Sequence, residues 1–252
     1  MRHCNRCIPA AIRVIWGNRS NNRLNRLPAH KDCRFRERSD RMKTLITAGC
    51  LALASASAAA AHPHVFAEAR LEVIIDDKGG VDQLRHVWRF DELFSSTVML
   101  DFDANADLEL EDDELAEVGT VIKDSLADYN YFTFVTKDGK EISVTPPDVI
   151  HADFQDGQLL LFFAVKPSEK MSLTGDMSFG TYDPTMYTAI EFFNDEDMVV
   201  KGNAGACSRK VIRPDADEII SQNQDMLTDA FFNDPAGNDS SKFFATRLQI
   251  SC

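Results

Sequence analysis

Residues 65 to 90 read VFAEARLEVIIDDKGGVDQLRHVWRF, and the period of two in this stretch decides the fold. Val65, Ala67, Ala69, Leu71, Val73 and Ile75 alternate with mostly polar partners; beyond Asp77-Lys78-Gly79-Gly80, the set Leu84, His86, Trp88 and Phe90 alternates again. Successive side chains of a strand point to opposite faces, so the pattern predicts a long β-hairpin with one buried face. Placing both apolar sets on that face sets Leu71 opposite His86 and Ala67 opposite Phe90. Lys78-Gly79 is then left as a two-residue turn.

Further strands are predicted over 131–137, 141–145, 149–154, 158–166, 171–179, 186–193, 198–201, 208–213 and 243–250, with Asp138-Gly139 and Asp156-Gly157 as hairpin turns. About eleven short strands with few helices predict a mainly β, α+β chain: a β-sandwich-like body with a helix-loop-helix insertion. In that insertion Asp91 to Phe102 reads as an entering helix. Leu115, Val118, Ile122, Leu126 and Tyr129 mark the exiting one over 112–127, with Asp112, Asp113 and Glu114 where a first turn favours negative charge. A second helical segment follows Pro214 to about Phe232, and Asn233 to Ser241 reads as a surface loop.

Between the two helices of the insertion, Asp103, Asn105, Asp107, Glu109, Glu111 and Glu114 reproduce the twelve-residue EF-hand spacing, with an apolar Leu110 at position 8. Ca²⁺ needs six to eight oxygens around a tight turn, and this spacing wraps them on one ion. Position 6 calls for glycine at positive φ, and Leu108 occupies it at a cost of about 1–2 kcal/mol. The competing reading is a solvated acidic connector. A lone loop of this kind is a stabilising clip rather than a sensor.

Upstream, Met42-Lys43, the apolar Leu45 to Ala58 and Ala59-Ala60-Ala61 form a complete export signal, so the mature chain is expected to be one periplasmic domain over 62–252. A transmembrane helix is the alternative, for which the run is short and poor in Leu and Ile. Residues 1–41 are basic and aperiodic and precede a signal with its own Met, which reads as a start placed too early. Cys4, Cys7, His30 and Cys33 have zinc-knuckle-like spacing within that segment. From residue 62 onward 15 Lys or Arg face 37 Asp or Glu, a balance that excludes nucleic-acid binding and suits cation attraction. Cys207 and Cys252 remain, and in an oxidising compartment they are expected to form one disulfide; a thiolate metal site is the competitor.

His62 and His64 flank Pro63 at the new amino end, two apart on an extended start, so both imidazoles project to one side and can chelate Zn²⁺, Ni²⁺ or Co²⁺. Pro63 has no amide hydrogen, which rules out the amino-terminal Cu²⁺ clamp. In the predicted register His64 faces Leu93, bringing Asp91 and Glu92 near as further ligands, while His86 points to the apolar face as a third metal contact or a core histidine. His151 reads as an ordinary strand residue.

HPHVF at 62–66, LRHVWRFDELFSS at 84–96, DANADLELEDDEL at 103–115, SLADYNYFTFVTKDGK at 125–140 and the terminal Cys252 together resemble an uncharacterised family of bacterial periplasmic proteins. That family is described as the periplasmic component of an ABC-type transport system, encoded beside NicO-type nickel/cobalt or zinc permeases. The resemblance implies a non-enzymatic accessory that handles a divalent transition metal for such a permease. It also implies that His62, His64 and His86 contact the metal and that Asp103 to Glu114 forms a cation loop. Leu108 departs from the family's usual glycine. A two-lobed solute-binding architecture is not expected, because strands and helices do not alternate. A calcium-stabilised structural or adhesion module is the competing function. A hydrolytic enzyme is disfavoured by the lack of His-Glu-x-x-His, Gly-x-Ser-x-Gly and phosphate-loop motifs.

Overall fold

Strand β1 (Val65–Ile75) pairs antiparallel with β2 (Val81–Phe90), with Ala67 opposite Phe90 and Leu71 opposite His86 as the alternation predicts. The computed structural model describes residues 63–222 and 241–252. The turn departs from the expected two residues. The register shifts by one between Ile74 and Ile75, and the loop closes on Asp76, whose amide donates to the Gly80 carbonyl at 2.8 Å. Asp76 Oδ1 accepts from the amides of Lys78 and Gly80, each at 2.8 Å, and these bonds hold its carboxyl below the usual range. An aspartate able to close the loop on its own side chain, followed by Gly79 at φ 75°, favours the longer bulged turn.

Helix α1 (Glu92–Phe102) leaves the end of β2, and α2 (Asp112–Leu126) follows the acidic loop. The remaining strands are β3 (Thr133–Lys137), β4 (Lys140–Ile142), β5 (Val144–Thr145), β6 (His151–Gln155), β7 (Gln158–Pro167), β8 (Asp176–Thr181), β9 (Thr188–Glu191), β10 (Met198–Lys201), β11 (Ser208–Ile212) and β12 (Arg247–Ser251). One sheet has β1, β2 and β7 at its centre. Both β9 and β10 run parallel to β1 along its outer side, and both β6 and β5 flank β7. The other sheet has the order β11-β12-β8-β3-β4. The chain is thus mainly β with two sheets and a few helices, and the Asp138-Gly139 and Asp156-Gly157 hairpins form as expected.

Two runs read as single strands are instead crossings between the sheets. Ile142 pairs with Val135 in the second sheet while Val144 pairs with Pro167 in the first, so the 141–145 run breaks at Ser143. In 171–179 the first residues lie against the hairpin turn, with Val81 N donating to Met171 O, and the strand starts only at Asp176, after Gly175 at φ 75°. Corners of this kind are how sandwiches pass a chain from one layer to the other. Tyr131 and Phe132, read as strand, lie in a 3₁₀ turn at positive φ. The last predicted strand opens with a short helix, α4 (Ser241–Phe244). The segment after Pro214 is helical over α3 (Ala216–Gln222), while its expected continuation to Phe232 and the loop from Asn233 to 240 lie outside the described residues.

The inward faces form one core. Leu71, Leu84 and Trp88 from the first sheet pack with Phe132, Phe179 and Leu248 from around the second, and each such side chain contributes roughly 1.5–3 kcal/mol on burial. Trp88 meets Phe163 edge-on at 4.9 Å between ring centroids and Phe132 at 6.0 Å. Gly119 sets the position of α2: a Cβ there would overlap the Ile150 carbonyl oxygen, so the helix backbone rests directly on the segment entering β6. The expected disulfide joins Cys207 and Cys252 just beyond the paired Ser208 and Ser251. No helix among the described residues is long and apolar enough to cross a membrane. The 1–41 extension, the 42–61 signal and the Cys4, Cys7, His30, Cys33 set lie outside the described residues.

Candidate functional site

The acidic loop owes its shape to side chains accepting from its own amides. Asp103 accepts from Asp107 N at 3.2 Å and Leu108 N at 2.8 Å, Asn105 Oδ1 from Asp107 N at 2.9 Å, and Asp107 Oδ1 from Glu109 N at 2.9 Å. Glu114, buried in the first turn of α2, reaches back across the loop. Its Oε1 accepts from Ala104 N at 2.7 Å and its Oε2 from Glu111 N at 3.1 Å. The loop is thereby closed on itself between the two helices, with Leu110 packed on the core and Leu108 exposed.

Backbone conformation agrees with the spacing. Ala106 and Leu108 sit at φ 60° and 69°, so the turn at position 6 is made by a leucine in the region that favours glycine. The carboxylates crowd one another. Glu111 is pushed up, first by its hydrogen bond with Glu114 and then by burial and the neighbouring charges of Asp107 and Glu114; Glu114 is held down, first by the Ala104 amide. The Asn105 amide nitrogen lies between Asp107 Oδ2 at 2.9 Å and Glu111 Oε1 at 3.4 Å, partly offsetting that repulsion. The donors are all oxygen, the kind a hard cation such as Ca²⁺ takes, but no three of these carboxylates gather as a metal cluster.

The nitrogen-containing set expected around the amino end is dispersed. His62 lies outside the described residues. His64 is exposed, its amide donates to Tyr187 O at 2.8 Å, and its ring rests on the Tyr187 ring at 4.8 Å. His86 faces the sandwich interior, stacked on Phe163 at 4.7 Å with Nε2 at 3.1 Å from Thr133 Oγ1. Seven strand residues separate the levels of His64 and His86, roughly 23 Å, and they lie on opposite faces of one sheet. No single ion reaches both.

Asp91 is the N-cap of α1. Its Oδ1 accepts from Phe94 N at 2.9 Å and its Oδ2 from Phe66 N at 2.8 Å, so both oxygens fix how β1 meets the helix. Glu92 is exposed on the first helical turn, and Leu93, expected opposite His64, lies on that same helix. Among the described residues no three His, Cys, Asp or Glu side chains are gathered as a metal cluster.

Sequence reading missed the residues that surround His64. Asp183 is buried, and burial pushes its carboxyl up against the pull of its hydrogen bonds. It accepts from Thr185 N at 2.7 Å, Thr185 Oγ1 at 2.6 Å and Thr188 N at 2.9 Å. This shapes the 183–188 loop that brings Tyr187 under the histidine. The Asp-Pro-Thr sequence at 183–185 carried the turn signal, but nothing in it pointed to residue 64.

A family model described as "Protein of unknown function (DUF1007)" matches residues 47–252. An uncharacterised protein of Haemophilus influenzae is 26% identical over 197 residues, covering 76% of this chain and 91% of its own. Among solved structures, acetylcholine-binding protein type 1 of Biomphalaria glabrata overlays 84% of this chain and 98% of its own, at 11% identity and a TM-score of 0.32.

Proposed function

The chain belongs to the family of proteins of unknown function DUF1007, and on that premise we propose that it is an exported, non-catalytic accessory of a NicO-type divalent-metal permease. It grips Zn²⁺, Ni²⁺ or Co²⁺ through His62 and His64. The observation that carries this reading is the placement of His64: its backbone is pinned to Tyr187 while its imidazole stays on the solvent side of the sheet. The sequence places a second imidazole, His62, two residues upstream, and it is taken as the other nitrogen of the grip, with further ligands from a partner. The Cys207–Cys252 disulfide supports an oxidising compartment. His86 is left out of the ligand set. The resemblance assigned it a metal contact, but its buried position makes it a core residue.

A thermal-shift series tests this. Zn²⁺ or Ni²⁺ should raise Tm of the protein, and His62→Ala with His64→Ala should abolish that rise while leaving the metal-free Tm within a degree or two. A shift that persists in the double variant would remove the amino-end ligands from the account.

The loop geometry favours a second, compatible reading: a calcium-stabilised module in which Asp103 to Glu114 clips α1 to α2. Leu108 strained at φ 69° then limits affinity. Relief of about 1–2 kcal/mol predicts that Leu108→Gly binds Ca²⁺ about tenfold more tightly. Calorimetric titration of both proteins checks it, and equal affinities would show that the backbone at position 6 does not limit the site.

A further inference from the structure

The outward face of the first sheet carries a groove that the metal reading does not use, with a cavity volume of about 490 Å³, within the range of small-molecule sites. The strand register defines its floor. Arg70 lies opposite Val87, Val87 opposite Phe162 and Phe162 opposite His151, so one row crosses four strands with a cation at one end, an imidazole at the other and two apolar side chains between. At a strand spacing of about 4.8 Å the row spans roughly 14 Å. In the adjacent row Arg85 stands opposite Ala164, whose short side chain leaves a recess beside the guanidinium. Lys166 lines the same groove. With the Gln83 amide oxygen turned toward it, Arg85 donates from Nε at 3.1 Å and Nη2 at 2.9 Å, which steadies the head group over the floor.

The charge of this groove runs against that of the chain. Acidic residues outnumber basic ones more than twofold from residue 62 onward, yet here Arg70, Arg85 and Lys166 gather against only Glu72 and Asp148. Glu72 stands 3.5 Å from Arg70 and is the register partner of Arg85, so it neutralises the Arg70 end and leaves Arg85 and Lys166 as the cations beside the Ala164 recess. Guanidinium groups bind carboxylate and phosphate through paired N–H donors, and an apolar floor next to them adds burial for a hydrophobic body. We propose that this groove binds a small amphipathic anion, a carboxylate or phosphate carried on an apolar or aromatic body, with the oxyanion in the Ala164 recess beside Arg85 and Lys166 and the body over Val87 and Phe162. The site is independent of His64, which does not line the groove.

The test titrates the purified protein by calorimetry with phenyl phosphate, with inorganic phosphate, and with phosphatidylglycerol vesicles. Phenyl phosphate should saturate the protein, bind at least tenfold more tightly than inorganic phosphate, and weaken as NaCl is raised. Arg85→Ala should reduce its affinity at least tenfold and Arg85→Lys by less, both with an unchanged Tm, while Lys201→Ala and the His62→Ala, His64→Ala pair leave it unaltered. Failure to saturate, equal binding by Arg85→Ala, equal affinity for inorganic phosphate, or binding to the vesicles alone would each overturn the assignment.

Discussion

Folding stability should fall as pH drops from about 6.5 toward 3, and the fall should be shallower in a His86→Phe variant. His86 is enclosed by Phe163, Trp88 and the second sheet, and burial lowers its pKa from 6.5 to about 3. In that window the unfolded chain takes up a proton that the folded chain refuses, so protonation favours unfolding. The His86 contribution is complete above pH 6.5, declines through the window by on the order of 1 kcal/mol per pH unit, and is spent below pH 3. Phe at 86 keeps the stack on Phe163 but gives up the bond to Thr133, costing about 1 kcal/mol at neutral pH. Urea unfolding at pH 7, 5.5 and 4 checks this: the two stability curves should converge or cross on acidification, and parallel curves would show that His86 does not titrate on unfolding.

Replacing both cysteines by serine should cost about 4 kcal/mol. The bridge spans 45 residues of sequence, and closing a loop of that length in the unfolded chain sets the figure. In the folded protein it fastens β11 to β12, and β12 is the strand through which β11 joins the second sheet. The double variant should therefore lose a substantial part of a stability of roughly 5–15 kcal/mol, with the carboxyl-terminal strand pair opening first. Hydrogen exchange at Leu248 and Ile250, both buried in the core, reports that order. Unchanged protection there would contradict the fastening role.

The hairpin register was legible because nine apolar residues and His86 keep strict alternation on both sides of a glycine-bearing turn, and a slip of one residue would expose all of them. The length of the turn was not, because it rests on Asp76 accepting two amides. The breaks at Ser143 and Gly175 were hidden for another reason: the period of two continues through them while the partner strand changes sheet. Parallel pairing of β9 and β10 with β1 joins residues more than 120 apart in sequence, and no local pattern encodes it.

The acidic loop was the most readable part of the candidate sites, since its side-chain spacing and its strained position are both local. Even the positive φ at Leu108 followed from the pattern. Ligands contributed by separate elements were not readable. Asp91 looked available until the helix N-terminus and Phe66 took its two oxygens. Arg70, Phe162 and His151 come together only through three strand pairings.

The proposed metal grip lies at the amino end. Zn²⁺ titration of the processed protein at neutral pH, followed by calorimetry, should give one equivalent bound, and the same titration of the His62→Ala, His64→Ala variant should give none. Full stoichiometric binding by that variant, or no binding by the parent protein, would contradict it.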